Sequence, residues 1–480
     1  MLSNGFAYAG LMKFFEEISA IPRASYKEEK IADYLCDFAE KRGLECYRDR
    51  MNNVLINAPA TAGREGTPAL LLQGHTDMVC EKNGGVEHDF DLEGLELYEQ
   101  DGWIRAKGTT LGADDGTAVA VMLYILDGGV SSHGPLQCLF TASEEVGLDG
   151  AIAFDYSKIY ARRMINMDGA DETQLIAGCA GGVRTSVSFD VRGESITAPY
   201  LVKLSVRGLY GGHSGEDIEK GRANANKLMG RVLYDIMSDG NVRLVDLCGG
   251  SKENAIPREC EATLAVWDME ELKEKICILQ TRLSDGLGTD DKNFRLELCE
   301  NGQNVEIDAP DRSTAEKLIF VMRTVANGVF EMNNDIDGIV EWSRNLGVVR
   351  ADSQVARLIF NSRSSFESRI DASCEELDAY ARMLGGHSKH RSRYPGWSYA
   401  QSSDIRDIYL AEAEKIIGEP PKVTVTHAGL ECGVIAGAIP DMDIISVGPL
   451  VLDLHSPDER LNKRSFERFY SIIKCVVEKY

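Results

Sequence analysis

Leu70-Leu71-Leu72-Gln73-Gly74-His75-Thr76-Asp77 runs from three consecutive leucines into a histidine and an aspartate. A short continuous apolar run suits a strand buried on both faces, and such strands belong to parallel sheets covered by helices. The polar residues follow at the strand's carboxyl end, where open α/β sheets bind ligands. Two further segments repeat the design: Leu136-Gln137-Cys138-Leu139-Phe140-Thr141-Ala142 leads into Glu144-Glu145, and Met164-Ile165-Asn166-Met167 leads into Asp168. Outward from these, Val54-Leu55-Ile56 reads as another buried strand, and residues 117–126 as an Ala/Val/Met-rich helix after the turn Gly112-Ala113-Asp114-Asp115-Gly116. Residues 14–38 read as helical with a break at Ile21-Pro22-Arg23-Ala24-Ser25, Ser25 capping the second helix and Glu28 and Glu29 in its first turns. Strand and helix alternate as in a doubly wound α/β domain.

After Gly181-Gly182 the texture changes. Thr185-Ser186-Val187-Ser188-Phe189-Asp190-Val191 and Leu201-Val202-Lys203-Leu204-Ser205-Val206 alternate apolar and polar residues, the mark of half-exposed antiparallel strands. A strand, a helix at 222–237, strands at 242–247 and 262–266 and a helix at 270–283 follow. A similar series succeeds them at 294–298, 314–324, 338–342, 355–361 and 367–384, which predicts a duplicated β-α-β-β-α unit. The turn Tyr394-Pro395-Gly396-Trp397 closes this region, after which strands at 422–426 and 443–447 and helices at 407–417 and 465–480 resume the first texture. The expectation is an α/β fold with a mixed sheet: a discontinuous domain of residues 1–184 and 398–480, and an inserted α+β domain of residues 185–397.

With 480 residues, 44% of them hydrophobic, the chain is long enough for two cores. A net charge of -24, relieved by no basic run longer than Lys389-His390-Arg391-Ser392-Arg393, argues against a nucleic-acid partner. No stretch of about 18 apolar residues predicts a membrane span, and the start Met1-Leu2-Ser3-Asn4-Gly5-Phe6 lacks the features of a signal peptide, so a cytoplasmic protein is expected. The twelve cysteines are scattered without a C-x-x-C pair and read as reduced thiols, with Cys248, Cys260 and Cys432 expected in the interior.

His75 and Asp77, one residue apart on an extended segment, project to the same face, so the carboxylate can hold the far nitrogen of a metal-bound imidazole. Alone, the pair reads more readily as a satisfied structural histidine. Asp114, between two glycines, sits where the backbone can approach an ion and a carboxylate can bridge two cations; alone, it is also an ordinary solvated turn. Glu144 and Glu145, adjacent after a buried strand, point in different directions, so one can bind a cation while the other takes a proton from water. Asp168 repeats the strand-end logic, and His455 follows Gly448-Pro449 and a short apolar run on a loop.

Together the segments Gly74-His75-Thr76-Asp77-Met78-Val79, Thr109-Thr110-Leu111-Gly112-Ala113-Asp114-Asp115-Gly116, Ser143-Glu144-Glu145-Val146-Gly147, Gly211-Gly212-His213-Ser214-Gly215-Glu216-Asp217-Ile218, His427-Ala428-Gly429-Leu430-Glu431-Cys432-Gly433 and His455-Ser456-Pro457-Asp458-Glu459 resemble the aminoacyl-histidine (cytosol non-specific) dipeptidases of the co-catalytic zinc exopeptidase family. The resemblance spans almost the whole chain. It implies two zinc ions, with cobalt or manganese as substitutes: His75 and Asp168 on one, Glu145 and His455 on the other, Asp114 between them. It also implies Asp77 orienting His75, Glu144 as general base, a cis peptide from Asp114 to Asp115, and an inserted lid. From that lid His213 would hold the substrate carbonyl or carboxylate, with Asn254, Arg369 and the Gly429 amide as further substrate contacts. Asp115, where the family often has Asn, and Leu452-Asp453-Leu454 before His455 depart from the pattern. His88, His133, His387, His390 and His427 match no ligand position and read as surface or packing residues.

The implied reaction is dipeptide hydrolysis by a water between two cations roughly 3.5–4 Å apart, completed by lid closure. A tripeptidase or an N-acyl amino acid amidohydrolase would use the same site, and a catalytically silent binding protein could share the fold. Oligomeric state is open: a duplicated lid can mimic the paired lids of a dimer within one chain, while an exposed edge strand of the inserted domain could still pair across a two-fold axis into a homodimer.

Overall fold

The three leucines 70–72 are fully buried because the strand Leu70–His75 lies inside an eight-stranded sheet, with neighbours on both edges and apolar side chains on both faces. The computed structural model describes residues 2–3, 5–334 and 336–480. Leu70–His75 runs parallel to Leu136–Thr141 on one side and to Arg163–Asn166 on the other, and Asp443–Ser446 lies parallel to Arg163–Asn166. Antiparallel strands flank this parallel centre: Glu45–Arg48 and Val54–Ala58 on one side, Gln174–Cys179 on the other, with Lys422–Thr426 at the far edge. One face of the sheet packs on the helices Ala9–Ser19, Glu29–Arg42, Ala113–Tyr124, Asp404–Ile417 and Lys463–Lys479 through a core that includes Phe15, Leu72, Met122, Phe466 and Phe469. The other carries a smaller core around Leu71, Leu139, Met164 and Cys432. Burying one such leucine is worth about 1.5–3 kcal/mol.

The chain divides into two compact units: residues 1–179, 397–425 and 430–480 form the first, and residues 180–396 with 426–429 the second. The divisions therefore fall a few residues from the expected 184/185 and 397/398, and the short segment 426–429 belongs to the second unit.

The second unit is built on an antiparallel sheet, in the order Arg295–Pro310, Gly193–Arg207, Cys260–Val266, Val242–Gly249, Val340–Ala351, Ala356–Ser364, Gly181–Ser188 and His387–Tyr394, with Gly328–Met332 beside Val340–Ala351. Val202, Leu204 and Val206, the apolar half of the predicted alternation, face the helices Ala225–Ile236, Met269–Ser284, Arg312–Thr324 and Glu367–Leu384. Read from its centre, the sheet order mirrors itself, but the repeat is framed differently from the sequence expectation. Arg295–Pro310 pairs with Gly193–Arg207 as the outer strand of the first half, and His387–Tyr394 occupies the matching place beside Gly181–Ser188. The strand at 295 closes one half instead of opening the next.

Two smaller expectations also change. Glu29–Arg42 begins after Glu28, with no side-chain cap, and Ser25 donates instead to the Asp77 carboxylate at 2.7 Å. Cys260 and Cys432 are buried, but Cys248 is exposed, because it falls on the outward half of the alternation along Val242–Gly249.

Candidate active site

Parallel strands end on the same side, so Leu70–His75, Leu136–Thr141 and Arg163–Asn166 deliver His75, Glu144-Glu145 and Asp168 to one place. Asp114 arrives from the turn before the helix Ala113–Tyr124, and His455 from the loop between the paired strands Val451–Leu452 and Arg460–Asn462. Asp114 is central. Its Oδ1 lies 3.0 Å from His75 Nε2 and its Oδ2 3.1 Å from His455 Nε2. Asp168 Oδ1 stands 3.6 Å from His75 Nε2, and Glu145 Oε1 3.1 Å from His455 Nε2. The five predicted ligands are thus brought together, with one carboxylate reaching an imidazole on each side.

The fit to cations rests on these donors. Glu145 Oε1 is buried and, although close to His455, makes no aligned hydrogen bond, leaving a lone pair that coordination would satisfy. Burial opposes charge on His75, yet Asp114, Asp168 and Asp77 outweigh it and hold its pKa well above the ordinary value. The hydrogen bond to Asp114 and then the nearby Glu145 carboxylate raise His455 to about 10, while burial lifts Asp168 to about 7. An excess of negative charge that holds protons on two imidazoles equally favours divalent cations in their place. Glu144, beside this group, has its pKa pushed well up by burial and then by Asp168, Glu431 and Glu145, against the pull of His75. His75, Asp115 and Asp168 also lie close enough to hold one ion. Asp115, however, already accepts the His75 N–H at 3.2 Å and the Ala118 N–H at 3.4 Å, so Asp114 is the better donor.

Several residues that the sequence did not single out set this geometry. They act beside the cis peptide bond between Asp114 and Asp115, which the resemblance implied and the structure has. Gly74 must be glycine: a Cβ there would lie 2.4 Å from Asp115 Oδ2 and 2.5 Å from Ala118 Cβ. The buried Arg23 donates to the carbonyls of Thr76 at 3.0 Å, Asp77 at 3.2 Å and Gly112 at 2.5 Å, joining the loop after His75 to the turn before Asp114. Glu28 accepts from both the N–H and the hydroxyl of Ser143, at 2.8 and 2.7 Å, fixing the residue before Glu144. Glu431 Oε2 accepts from Gln73 at 2.5 Å and Thr141 at 2.7 Å, and Asn166 donates to Gln73 at 2.7 Å. Asp77 plays a broader part than expected. His75 Nδ1 is nearer its carbonyl, at 3.1 Å, than its carboxylate, at 3.4 Å, and the carboxylate accepts the N–H groups of Glu144 and Glu145 at 3.0 and 3.3 Å.

The second unit carries its own polar cluster. His213 lies on the short strand Gly212–His213 paired with Ala255–Ile256, and Asn254 accepts the next N–H, that of Ser214, through its carbonyl at 2.8 Å. Gly429 packs against the ring of Tyr394, whose hydroxyl accepts from Arg363 at 2.9 Å. Arg369 is committed elsewhere: it pairs with Glu331 and lies 5.0 Å over the Phe366 ring. Arg363 is the cation in this cluster. Its Nε is buried without a partner, and its charge reinforces burial in pressing the pKa values of His213 and His427 down. Its signal in sequence was faint, one of two arginines in the strand Ala356–Ser364. His427 is interior, 2.7 Å from Ser343 Oγ.

Comparison with known proteins places the chain among relatives. The chain is 35% identical over 467 residues, 96% of each sequence, to a cytosol non-specific dipeptidase of Escherichia coli. The crystal structure of an aminoacylhistidine dipeptidase from Vibrio alginolyticus superposes with a TM-score of 0.91 at 34% identity, covering 100% of this chain and 98% of that one. An aminopeptidase PepT from Bacillus cereus, at 16% identity and a TM-score of 0.58 over 99% of both chains, shares the fold. Residues 71–479 match the model of peptidase family M20/M25/M40, and the chain belongs to that family.

Proposed function

We propose that this peptidase hydrolyses dipeptides, Xaa-His among them, at a two-cation centre on the first unit. The observation that carries the reading is Asp114, with its two oxygens 3.0 and 3.1 Å from the imidazoles of His75 and His455. His75 and Asp168 would hold one cation and Glu145 and His455 the other, with Asp114 serving both; two imidazoles among carboxylates suit zinc and accept cobalt or manganese. Two such cations would acidify an attacking water and polarise the scissile carbonyl. Glu144 takes the proton from that water and returns it to the leaving amine. Asp77, bonded to the Glu144 and Glu145 amides, holds the base and its neighbouring ligand in fixed relation. His213 stabilises the developing oxyanion, and Asn254, the Gly429 amide and a cation bind the substrate's ends. Arg363 is better suited to that last part than Arg369, because its Nε has no partner while Arg369 is ion-paired.

The names of the Escherichia coli and Vibrio alginolyticus relatives support dipeptides as the substrate class. The twelve free thiols and the relative named for the cytosol support a cytosolic protein, and among the described residues no helix is long and apolar enough to cross a membrane. A homodimer through the second unit belongs to the same proposal and is read by light scattering. Purified enzyme assayed on Xaa-His dipeptides, other dipeptides, tripeptides and N-acetyl amino acids tests the substrate class. Preferential turnover of dipeptides is expected, and preference for tripeptides or acylated amino acids would replace this reading.

A further inference from the structure

His455 sits in a tight loop whose remaining residues, Ser456-Pro457-Asp458-Glu459, the proposed reaction does not use. Glu459 is only 2% exposed, and its carboxylate meets the turn that carries Asp114. Oε2 accepts the N–H groups of Leu111 at 2.8 Å and Gly112 at 3.0 Å; Oε1 accepts those of Ala113 at 2.8 Å and Asp114 at 3.4 Å. Four consecutive amides converge on one side chain, the arrangement by which backbone nests and helix N-termini bind anions. Gly112 is held from both sides, since its carbonyl accepts from Arg23. It lies at φ 63°, where a Cβ would come within 2.5 Å of the Arg23 guanidinium.

The other end of Glu459 is equally fixed. Its N–H donates to Ser456 O at 3.1 Å, closing the turn directly after His455. His455 itself holds φ 59°, a left-handed conformation that a non-glycine residue keeps only when its surroundings impose it. The flanking strands Val451–Leu452 and Arg460–Asn462 pair with each other, and the latter pairs with Trp103–Ala106, on the chain just before the 111–114 turn.

We propose that Glu459 is a positioning residue that locks the Asp114 turn to the His455 loop, so that the shared ligand and the second imidazole stand at their separation before any cation arrives. Charge-assisted bonds to four amides set where Asp114 begins, and the turn 456–459 carries that setting to His455. Partners one step removed from a metal commonly change its affinity or the enzyme's activity 10- to 100-fold, roughly, when removed. This inference rests on the two-cation reading of the site.

The test is cobalt titration of the full chain, followed by visible absorption, in wild type, Glu459→Gln and Glu412→Gln. Glu412 is a buried carboxylate of the same unit, on the helix Asp404–Ile417, paired with Lys415 and Lys479 and far in sequence from any ligand, and serves as the structural control. Wild type is expected to bind two cobalt ions. Glu459→Gln should weaken at least one of them about tenfold or more and alter the cobalt absorption bands, with kcat falling more than KM rises. Glu412→Gln should lower the thermal midpoint and leave cobalt affinity and bands unchanged. If wild type binds no cobalt, the two-cation reading itself falls; if wild type binds two and Glu459→Gln matches it in affinity and spectrum, only the role of Glu459 is overturned. Should Glu459→Gln not fold, hydrogen exchange in metal-free wild type decides: amides 111–114 should exchange slowly, and free exchange that slows only with cobalt would overturn the proposal.

Discussion

At the strand ends of the first unit, carboxylates outnumber cations and nearly every ligand is held by a second polar group, whereas the cluster of the second unit gathers Arg363 with the histidines His213 and His427 around few fixed bonds. Asp115 grips the backbone of His75, Asp77 those of Glu144 and Glu145, and Glu459 those of Ala113 and Asp114. The pKa values show the contrast: His75 and His455 are raised by facing carboxylates, while His213 and His427 are lowered by burial and then by Arg363. One region is arranged to attract positive charge and to hold geometry. The other keeps its imidazoles neutral beside a guanidinium, which suits it to an anionic or polarised carbonyl partner.

The largest effect should come from the first region. Glu144→Gln preserves shape, so cobalt or zinc content should match wild type while kcat falls roughly 10²- to 10⁴-fold, the range a general base supplies. Metal analysis beside steady-state kinetics checks it, and near-normal turnover would remove Glu144 from the base role. Next in size is the second region. Arg363→Met should raise KM for dipeptides with a free carboxylate roughly 10- to 100-fold, from about 1.5–3 kcal/mol for a bond to a charged group. Arg369→Met, losing a pair with the Glu331 side chain and the contact over the Phe366 ring, should change KM little. The reverse ranking would restore the sequence-based assignment of Arg369.

A smaller effect probes the bracing alone. Gly74→Ala places a methyl against Asp115 and Ala118, an overpacking cost of about 1–3 kcal/mol. The thermal midpoint should drop by about 2–4 °C for each kcal/mol in a domain of this size. Activity should fall with it, because Asp115 holds the His75 amide. An unchanged midpoint would show that the strand end tolerates more movement than its contacts imply.

The two regions also differ in how far the sequence exposes them. Leu70-Leu71-Leu72 before His75 and the apolar runs before Glu144 and Asp168 announce strand ends, and parallel pairing then brings those ends together without further information. The bracing groups were silent for a physical reason. Arg23, Glu28 and Glu459 act on backbone amides and carbonyls of distant segments, and a backbone partner leaves no trace in residue type. Ser25 was misread for the same reason, a local capping pattern losing to a long-range bond to Asp77. In the second unit the alternation in residues 201–206 gave the antiparallel sheet, but the frame of the repeat depended on which strand Arg295–Pro310 would join, a non-local choice. Arg363 lies near a strand's end and Arg369 near a helix's start, six positions on, but neither place tells which is ion-paired; their partners do.

The smallest effect follows from His427, and it tests whether the second cluster is built for neutral imidazoles. Burial first, and the charge of Arg363 next, push its pKa down to about 3, and its Nε2 lies 2.7 Å from Ser343 Oγ. In the unfolded chain the same group protonates near 6.5. Between those values the unfolded state binds a proton that the folded state refuses, so stability is complete above about pH 6.5 and is lost as pH falls toward 3. Many carboxylates also titrate in the lower part of that window, so the informative interval lies between about pH 6.5 and 5, where the ordinary Asp and Glu remain ionised. Denaturant midpoints measured there should decline for wild type and decline less for His427→Gln, whose amide can still reach Ser343 but carries no titrating proton. Equal slopes for the two proteins would mean that His427 accepts a proton in place, and the second cluster would then be a site that gains charge on acidification instead of one that excludes it.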